Sequence, residues 1–175
     1  NHDKSNMMDD QLAAVIKEAL TRGGKIIIPA FSVGRTQEII YSLSKLFDKD
    51  IIPRIPVFID SPLSTKATDI FKLHPECYDR EFSDMILNGK EVFELPNLRY
   101  IQDVEDSKNL NFFNESCIII SASGMAESGR ILHHLKNNIE DPKSTVLIVG
   151  FMADHTLGRR LIEARDTENA VVRIF

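Results

Sequence analysis

The sequence predicts an α/β fold, a three-layer α/β/α sandwich built on a mainly parallel, Rossmann-like sheet. Segments with apolar residues at helical spacing alternate along the chain with short apolar runs that predict strands. These runs do not alternate with polar residues, which is typical of parallel strands covered by helices on both faces. The 175 residues, 43% of them hydrophobic, suffice for one domain with a single core.

The first third of the chain contains two predicted pairs of a helix and a strand. Leu12, Ile16 and Leu20 belong to a helical repeat that ends at Gly23-Gly24. Continuous apolar runs follow this helix and the next one, as expected for buried strands. The predicted elements are a helix at 8–22, a strand at 26–28, a helix at 35–47 and a strand at 57–59.

The middle of the chain has a less regular pattern, and clear alternation returns near its end. Pro75 and Gly89 each interrupt a helical segment. The predicted helices here are at 64–73, 79–88, 129–139 and 156–165, with a turn or short helix at 103–109. The predicted strands are at 98–101, 117–121, 145–149 and 171–175.

Charge and cysteine content exclude several classes of protein. The formal net charge of -5 argues against a broad basic face that coats nucleic acid, so a polyanion would have to be bound by a local cluster. Cys77 and Cys117 form neither a metal pair nor a disulfide framework, which favours a reducing compartment. No apolar stretch approaches the roughly 20 residues of a membrane span. We therefore expect a cytoplasmic protein without a membrane partner.

One local arrangement occurs three times: an apolar strand, a short loop of small and polar residues, and a Gly-Arg pair that opens a helix. The pairs are Gly34-Arg35, Gly129-Arg130 and Gly158-Arg159. In a parallel sheet, loops at the carboxyl ends of strands line one crevice, where helix N-termini present free N–H groups. Guanidinium groups suit phosphate oxygens. The three arrangements together predict an anion site for phosphate.

Each of these arginines has an alternative role as a structural ion-pair residue. Arginine at a helix start opposes the helix dipole, so helix stability by itself would not place it there. Arg35 has Glu38 or Asp60 as candidate partners, and Arg130 has Glu127. Both the phosphate-binding and the ion-pair roles stay open for each arginine.

The loop SASGM at 121–125 is the strongest local signal for a binding site. Its small residues let backbone N–H groups approach an anion, and its two hydroxyls add donors. A close-packed turn between a strand and a helix would have the same composition. The loop matches neither the P-loop nor the dinucleotide-binding fingerprint, so the pattern does not favour a nucleotide cofactor.

The titratable residues show no complete catalytic or metal-binding set. Asp60 ends a strand, so it is either a ligand or base in the crevice or, alternatively, an N-cap or arginine partner. His133 and His134 are adjacent on a predicted helix and point roughly 100° apart, so one should face solvent. His155 is the histidine best placed for function. No histidine spacing predicts a metal site, and no nucleophile, base and orienting group come together.

Four segments carry a specific combination of motifs: 28–38 (IPAFSVGRTQE), 57–64 (VFIDSPLS), 121–130 (SASGMAESGR) and 149–159 (VGFMADHTLGR). Together they resemble the β-CASP family of RNA-processing and DNA-repair nucleases within the metallo-β-lactamase superfamily. The motifs occur in the family's order across nearly the whole chain. One position departs from the family, because Asp154-His155 stands where Glu-Gly is common.

The resemblance implies that residues 1–175 form a β-CASP domain, which is inserted into a metallo-β-lactamase domain and caps it. On this basis we expect a piece of a longer chain whose metallo-β-lactamase domain is absent. That domain would supply the ligands of two zinc ions, so this segment should contain no metal ligands and no catalytic residues. The full-length protein would be a zinc-dependent ribonuclease that hydrolyses RNA phosphodiester bonds, and the segment alone should be inactive.

The resemblance and the three loops together predict which residues contact RNA in the cleft between the two domains. Arg35 matches the family's Gly-Arg-x-Gln-Glu motif, and the 121–125 loop matches its Ser-x-Ser-Gly-Met motif. The predicted RNA- or phosphate-binding residues are Ser32, Gly34, Arg35, Asp60, Ser61, Ser121, Ser123, Gly124, Met125, Arg130, His155, Thr156 and Arg159. A homo-oligomer of the full-length protein is a further expectation.

Two other functional classes are compatible with the residues. A stand-alone α/β module that binds a small phosphorylated ligand would need only the three loops. An interaction domain would use the three arginines purely for structure.

Overall fold

The computed structural model describes residues 2–74, 91–165, 172 and 174 of the chain. The helices are α1 (His2–Arg22), α2 (Arg35–Asp48), α3 (Pro62–Leu73), α4 (Val104–Asn109), α5 (Arg130–Asn138) and α6 (Leu157–Arg165). The strands are β1 (Ile26–Pro29), β2 (Val57–Asp60), β3 (Leu98–Tyr100), β4 (Ile118–Ser121) and β5 (Thr145–Val146), and a 3-10 turn at Leu110–Phe112 follows α4.

The five described strands form one sheet in the order β3-β2-β4-β1-β5, and every neighbouring pair is parallel. At the carboxyl end of the central strand β4, Ser121 lies opposite Pro29 on one side and Asp60 on the other. In this order, the connection from β2 leads to β3 on one side of the sheet, whereas the connection from β4 leads to β5 on the other side. Strands whose connections diverge in this way open a crevice at their carboxyl ends, which is the usual binding position in such sheets.

Both faces of the sheet are covered, so the predicted three-layer α/β/α sandwich is confirmed. One core cluster joins Ile26 and Ile28 to residues of α1 and α2, such as Ile16 and Phe47. The second cluster joins Ile27 and other strand residues to α5 and α6. Successive side chains of a strand point to opposite faces, which explains why a continuously apolar strand feeds two cores.

Most predicted elements are present, and the differences concern their ends. β5 was expected over 145–149 but ends at Val146, although the Leu147 N–H still donates to the Ile27 carbonyl at 2.9 Å. It pairs only with β1 among the described strands, so less of its backbone is held in the sheet. α3 begins at Pro62 instead of residue 64, because Ser61 accepts the Ser64 N–H and caps it.

Two predicted elements fall on residues whose structure is wholly or partly outside the described part. The helix expected at 79–88 lies outside it. Of the strand expected at 171–175, only residues 172 and 174 are described, and both side chains pack partly buried against the second core cluster. Within the described residues, we find no helix with the length and apolar character needed to cross a membrane.

Candidate functional site

The loops that carry the predicted site residues meet at the carboxyl edge of the sheet. The Ser121 hydroxyl donates to the Asp60 carbonyl at 2.8 Å and ties the end of β4 to the end of β2. The Phe31 ring, in the loop after β1, packs against Gly124 in the loop after β4, where a Cβ would come within 2.6 Å of the ring. Gly158 at the start of α6 donates its N–H to the Met125 carbonyl at 3.1 Å.

The Asp60 carboxylate is the buried centre of this edge. Its Oδ1 accepts a hydrogen bond from Arg130 at 2.7 Å. Its Oδ2 accepts from the Ser107 hydroxyl at 2.5 Å and from Nε2 of His134 at 2.6 Å. Burial by itself raises the pKa of Asp60, but the hydrogen bonds from His134, Ser107 and Arg130 outweigh it and the pKa is lowered. Asp60 is therefore an ionised structural acceptor, as in the alternative that made it an arginine partner.

His134 is a member of this cluster that sequence reasoning missed. A carboxylate only accepts hydrogen bonds, so Nε2 of His134 must carry the proton shared with Asp60. The Nδ1 atom is buried and has no hydrogen-bond partner among the described residues. His133 next to it is exposed, which confirms that one of the two histidines faces solvent. The available signal was the four-residue spacing between Arg130 and His134, which places both on one helix face.

Arg130 differs from the other two arginines of the repeated arrangement. Besides Asp60, its guanidinium donates to the carbonyls of Ile101 at 3.3 Å and Gln102 at 2.6 Å, and its side chain is 19% exposed. The ion pair anticipated with Glu127 is wrong. A Glu127 carboxylate oxygen instead accepts the Leu157 N–H and caps α6. Arg130 thus holds the loop after β4 to β2 and to the segment after β3.

Arg35 and Arg159 have their shortest ion pairs within their own helices, and Arg159 also lies 4.0 Å from Asp154 in the loop before α6. Arg35 contacts Glu38 at 2.7 Å, as one of its two alternatives predicted, and Asp60 is not its partner. Arg159 contacts Glu163 at 2.7 Å, and this bond is the main reason that its pKa is raised. The two arginine side chains are 36% and 41% exposed. Exposed pairs of this kind contribute little stability, so a phosphate can compete for both guanidinium groups.

The helix N-termini are not the open N–H clusters expected from the sequence, because groups of the chain itself already accept from them. At α2, the Gly34 N–H donates to the Gln37 side chain at 2.7 Å and the Thr36 N–H to the Phe31 carbonyl at 3.3 Å. At α5, the Ile131 N–H donates to the Ala122 carbonyl at 3.2 Å. The candidate donors to an anion are therefore side chains and not backbone N–H groups.

Gln37 is buried and organises the loop that contains Ser32. Its Oε1 accepts from Gly34, and its Nε2 donates to the Ser32 carbonyl at 3.2 Å and to the Thr68 hydroxyl at 2.9 Å. We expect Gln37→Ala to lower the free energy of unfolding by about 1–3 kcal/mol, because buried polar partners lose their hydrogen bonds. Urea denaturation measures this loss. The exposed residue Gln11 supplies the control, Gln11→Ala, and equal small effects of both variants would contradict this role.

Two serine hydroxyl protons remain for a ligand at the edge, one from the Ser32–Ser61 pair and one from Ser123. Ser32 Oγ lies 3.1 Å from Ser61 Oγ, and the latter also caps α3. Ser123 Oγ accepts the N–H groups of Glu127 and Ser128 at 3.1 and 3.2 Å. A hydroxyl that accepts twice still has its proton to donate, and no acceptor for it occurs within the described residues.

The loop before α6 is held in shape by Thr156. Its hydroxyl donates to the Ala153 carbonyl at 2.7 Å and accepts the Arg159 N–H at 3.2 Å. His155 is exposed, and its φ of +67° lies in the left-handed region that favours glycine. This conformation gives a physical reason for the glycine that the β-CASP motif commonly carries at this position.

No metal cluster of three histidine, cysteine or acidic side chains occurs in the part of the chain that the structure describes. Burial raises the pKa of the Cys117 thiol to about 12, so this cysteine is not a nucleophile. The described residues therefore do not fit two zinc ions. The edge can bind and orient an anion, and we assign it no bond-breaking step.

Comparison with known proteins agrees with the motifs. The Beta-Casp domain profile matches residues 36–161. Ribonuclease TTHA0252 of Thermus thermophilus is 33% identical over 148 residues, which cover 85% of this chain and 34% of that protein. The transcription termination factor FttA of Methanosarcina mazei is 33% identical over 154 residues, which cover 87% of this chain and 24% of that protein.

A third relative is the RNase J-like protein of Methanocaldococcus jannaschii, 33% identical over 156 residues, which cover 89% of this chain and 35% of that protein. The chain thus spans about a quarter to a third of the length of these curated relatives. Because the domain profile matches most of the chain and these relatives are about a third identical to it over more than four fifths of its length, the chain belongs to the β-CASP family.

Proposed function

We propose that this chain is the RNA-binding cap domain of a metal-dependent ribonuclease. The observation that carries the proposal is the carboxyl edge itself, where partly exposed guanidinium groups and hydroxyls share one edge of the sheet with a buried, ionised Asp60 cluster. Two of the relatives are named as a ribonuclease and an RNase J-like protein, which supports RNA as the polyanion.

The proposed division of labour follows from the side chains that are present. Arg35 and Arg159 bind phosphate oxygens, and the hydroxyls of Ser32 and Ser123 add neutral donors. Arg130 positions the loop after β4 through its ion pair with Asp60 and does not bind RNA directly. The zinc ions and the hydrolytic step belong to a separate metallo-β-lactamase domain, so this chain alone should not cleave RNA. A cytoplasmic location and self-association of the full-length protein stay predictions.

We expect Arg35→Ala in the full-length gene product to weaken RNA binding by about 1–3 kcal/mol, because one charge-assisted phosphate contact is lost. Fluorescence anisotropy with a labelled RNA measures the change. Arg54→Ala is the matched control, since Arg54 is also an exposed arginine, paired with Asp48 at 3.7 Å, but precedes β2 at the opposite edge of the sheet. Equal binding by both variants would contradict the proposed contact.

The enzymatic part of the proposal has its own test. RNA cleavage by the full-length gene product should stop when the metal is chelated and return when zinc is restored. A full-length reading frame that lacks a His-x-His-x-Asp-His motif would contradict the proposed metal-binding domain.

The small-ligand alternative, which the three loops alone would allow, is supported by a cavity of about 300 Å³ between α1, α2 and residues 147–149. Arg35 and Glu38 contribute its charges, and apolar side chains such as Leu12 and Ile39 form much of the rest. Saturable binding of a nucleoside monophosphate by the 175-residue chain, lost in Arg35→Ala, would favour this alternative over RNA.

A further inference from the structure

Two aromatic rings are exposed at the same edge as the candidate phosphate contacts. Phe31 follows β1 and is 49% exposed, and Phe151 follows β5 and is 77% exposed. β1 and β5 are neighbours in the sheet. Arg35 connects the two loops, since its Nε lies 3.9 Å from where a Cβ on Gly150 would stand. The guanidinium group therefore lies between the loops that carry the two rings.

The Phe31 ring is held in place although it is half exposed. A Cβ on Gly124 would stand 2.6 to 2.8 Å from three of its ring carbons, so the ring lies directly against the backbone of the 121–125 loop. The Phe31 carbonyl accepts from both the N–H and the hydroxyl of Thr36, at 3.3 and 2.8 Å. A ring that is already positioned loses little conformational entropy when a ligand covers it.

The groups around the rings favour a nucleotide over an apolar protein surface. Ser32 places a partly buried hydroxyl next to Phe31, and Arg35 follows Phe31 by four positions. An apolar protein partner would bury these polar groups without acceptors, at a cost in free energy. A nucleotide supplies phosphate and ribose oxygens for them and a base face for the ring. Val33 and Leu63 are also exposed here and would suit a protein partner. The test must therefore distinguish a nucleotide from a protein as the bound partner.

We propose that Phe31 and Phe151 are base-stacking residues, so that this domain recognises unpaired bases as well as the phosphate backbone. The inference rests on the proposed RNA-binding function and extends it from charge to base contact. Stacking of this kind tolerates any sequence, because every base has a π-face. Gly124 has a positioning role, since only a residue without a Cβ leaves room for the Phe31 ring.

The test compares two probes on the full-length gene product: a short, cleavage-resistant 2′-O-methyl RNA strand and an abasic strand of the same length. We expect Phe31→Leu and Phe151→Leu each to weaken binding of the base-bearing strand by roughly 5- to 150-fold. Binding of the abasic strand should stay unchanged, and Phe31→Tyr should restore the wild-type preference. Phe112→Leu is the matched control, because Phe112 is as exposed as Phe151 but precedes β4 at the opposite edge.

Two results would overturn the inference. Equal weakening of both strands by the leucine variants would mean that the rings shape the site without stacking on bases. A lowered melting temperature of the full-length protein, with unchanged binding by its folded fraction, would mean that the rings pack against another domain.

Binding of the abasic strand by Arg35→Ala separates this inference from the proposed function. If that variant binds the abasic strand normally, RNA binding at this edge fails; if it binds weakly while the leucine variants do not discriminate, only stacking fails.

Discussion

Replacement of Asp60 by alanine is expected to lower the free energy of unfolding by about 3–5 kcal/mol, measured by urea denaturation of this chain. The carboxylate is fully buried and accepts hydrogen bonds from Arg130, Ser107 and His134. Its removal leaves a mostly buried guanidinium without its counter-charge and two polar groups without an acceptor. The loss should therefore exceed that of any surface ion pair in the chain.

Asp69→Ala provides the control for this variant, because Asp69 is an exposed carboxylate on α3. Its substitution should change the free energy of unfolding by about 0.5 kcal/mol or less. A similarly small effect of Asp60→Ala would show that the three donors find other acceptors and that the cluster does not hold the edge together.

The pH dependence of stability tests the same cluster without removing it. The pKa of Asp60 is lower in the folded chain than its ordinary value, so the unfolded state binds the proton more readily. The stability contributed by the ionised carboxylate is then fully present above about pH 4 and is lost as the pH falls toward the folded-state pKa. We expect Asp60→Asn to reduce this acid-dependent loss. An unchanged pH profile in that variant would assign the acid sensitivity to other carboxylates.

Gly129→Ala is expected to lower the free energy of unfolding by about 2–5 kcal/mol. Gly129 has a φ of +83° and a ψ of -170°, a backbone region that essentially only glycine adopts and that costs another residue about 1–3 kcal/mol. A Cβ at this position would also stand 2.6 Å from the Ala122 carbonyl oxygen, a backbone atom that cannot rotate away. The substitution should displace the start of α5 and with it Arg130.

Gly23→Ala is a matched control for this steric effect. Gly23 has a similar φ of +77°, but nothing lies within 4 Å of its Cβ position. In the same urea titration, the free energy of unfolding of this variant should fall only by the cost of the positive φ, about 1–2 kcal/mol. Equal losses in the two variants would contradict a clash with Ala122.

The fold was predictable because its signals are local. A helical repeat such as that of α2 and a continuous apolar run such as that of β4 each need fewer than 20 neighbouring residues to identify. The position of the loops at one edge follows as well, since parallel strands all end on the same side. The end of β5 was not predictable from Leu147, Ile148 and Val149, because their apolar character is the same inside and outside a sheet.

The side-chain partners within the site were only partly predictable. Pairs within one helix, such as Arg35 with Glu38, follow from their spacing. The capping of α6 by Glu127 had no sequence signal, because the carboxylate and the Leu157 N–H are 30 positions apart. The N-terminus of α6 is therefore closed to anions by a distant group, whereas the acceptors at α2 and α5, such as Gln37 and Ala122, are near in sequence.

The sequence by itself determined the layers of this protein, the order of its helices and strands, and the motifs that place it in the β-CASP family. Only the tertiary structure decided which of its three arginines are available to a ligand. Asp60 binds Arg130 and His134 from 70 and 74 positions away, and Ser107 from 47. Periodicity tells which face of an element is buried, whereas the partner of a buried charge depends on which elements the sheet order brings together.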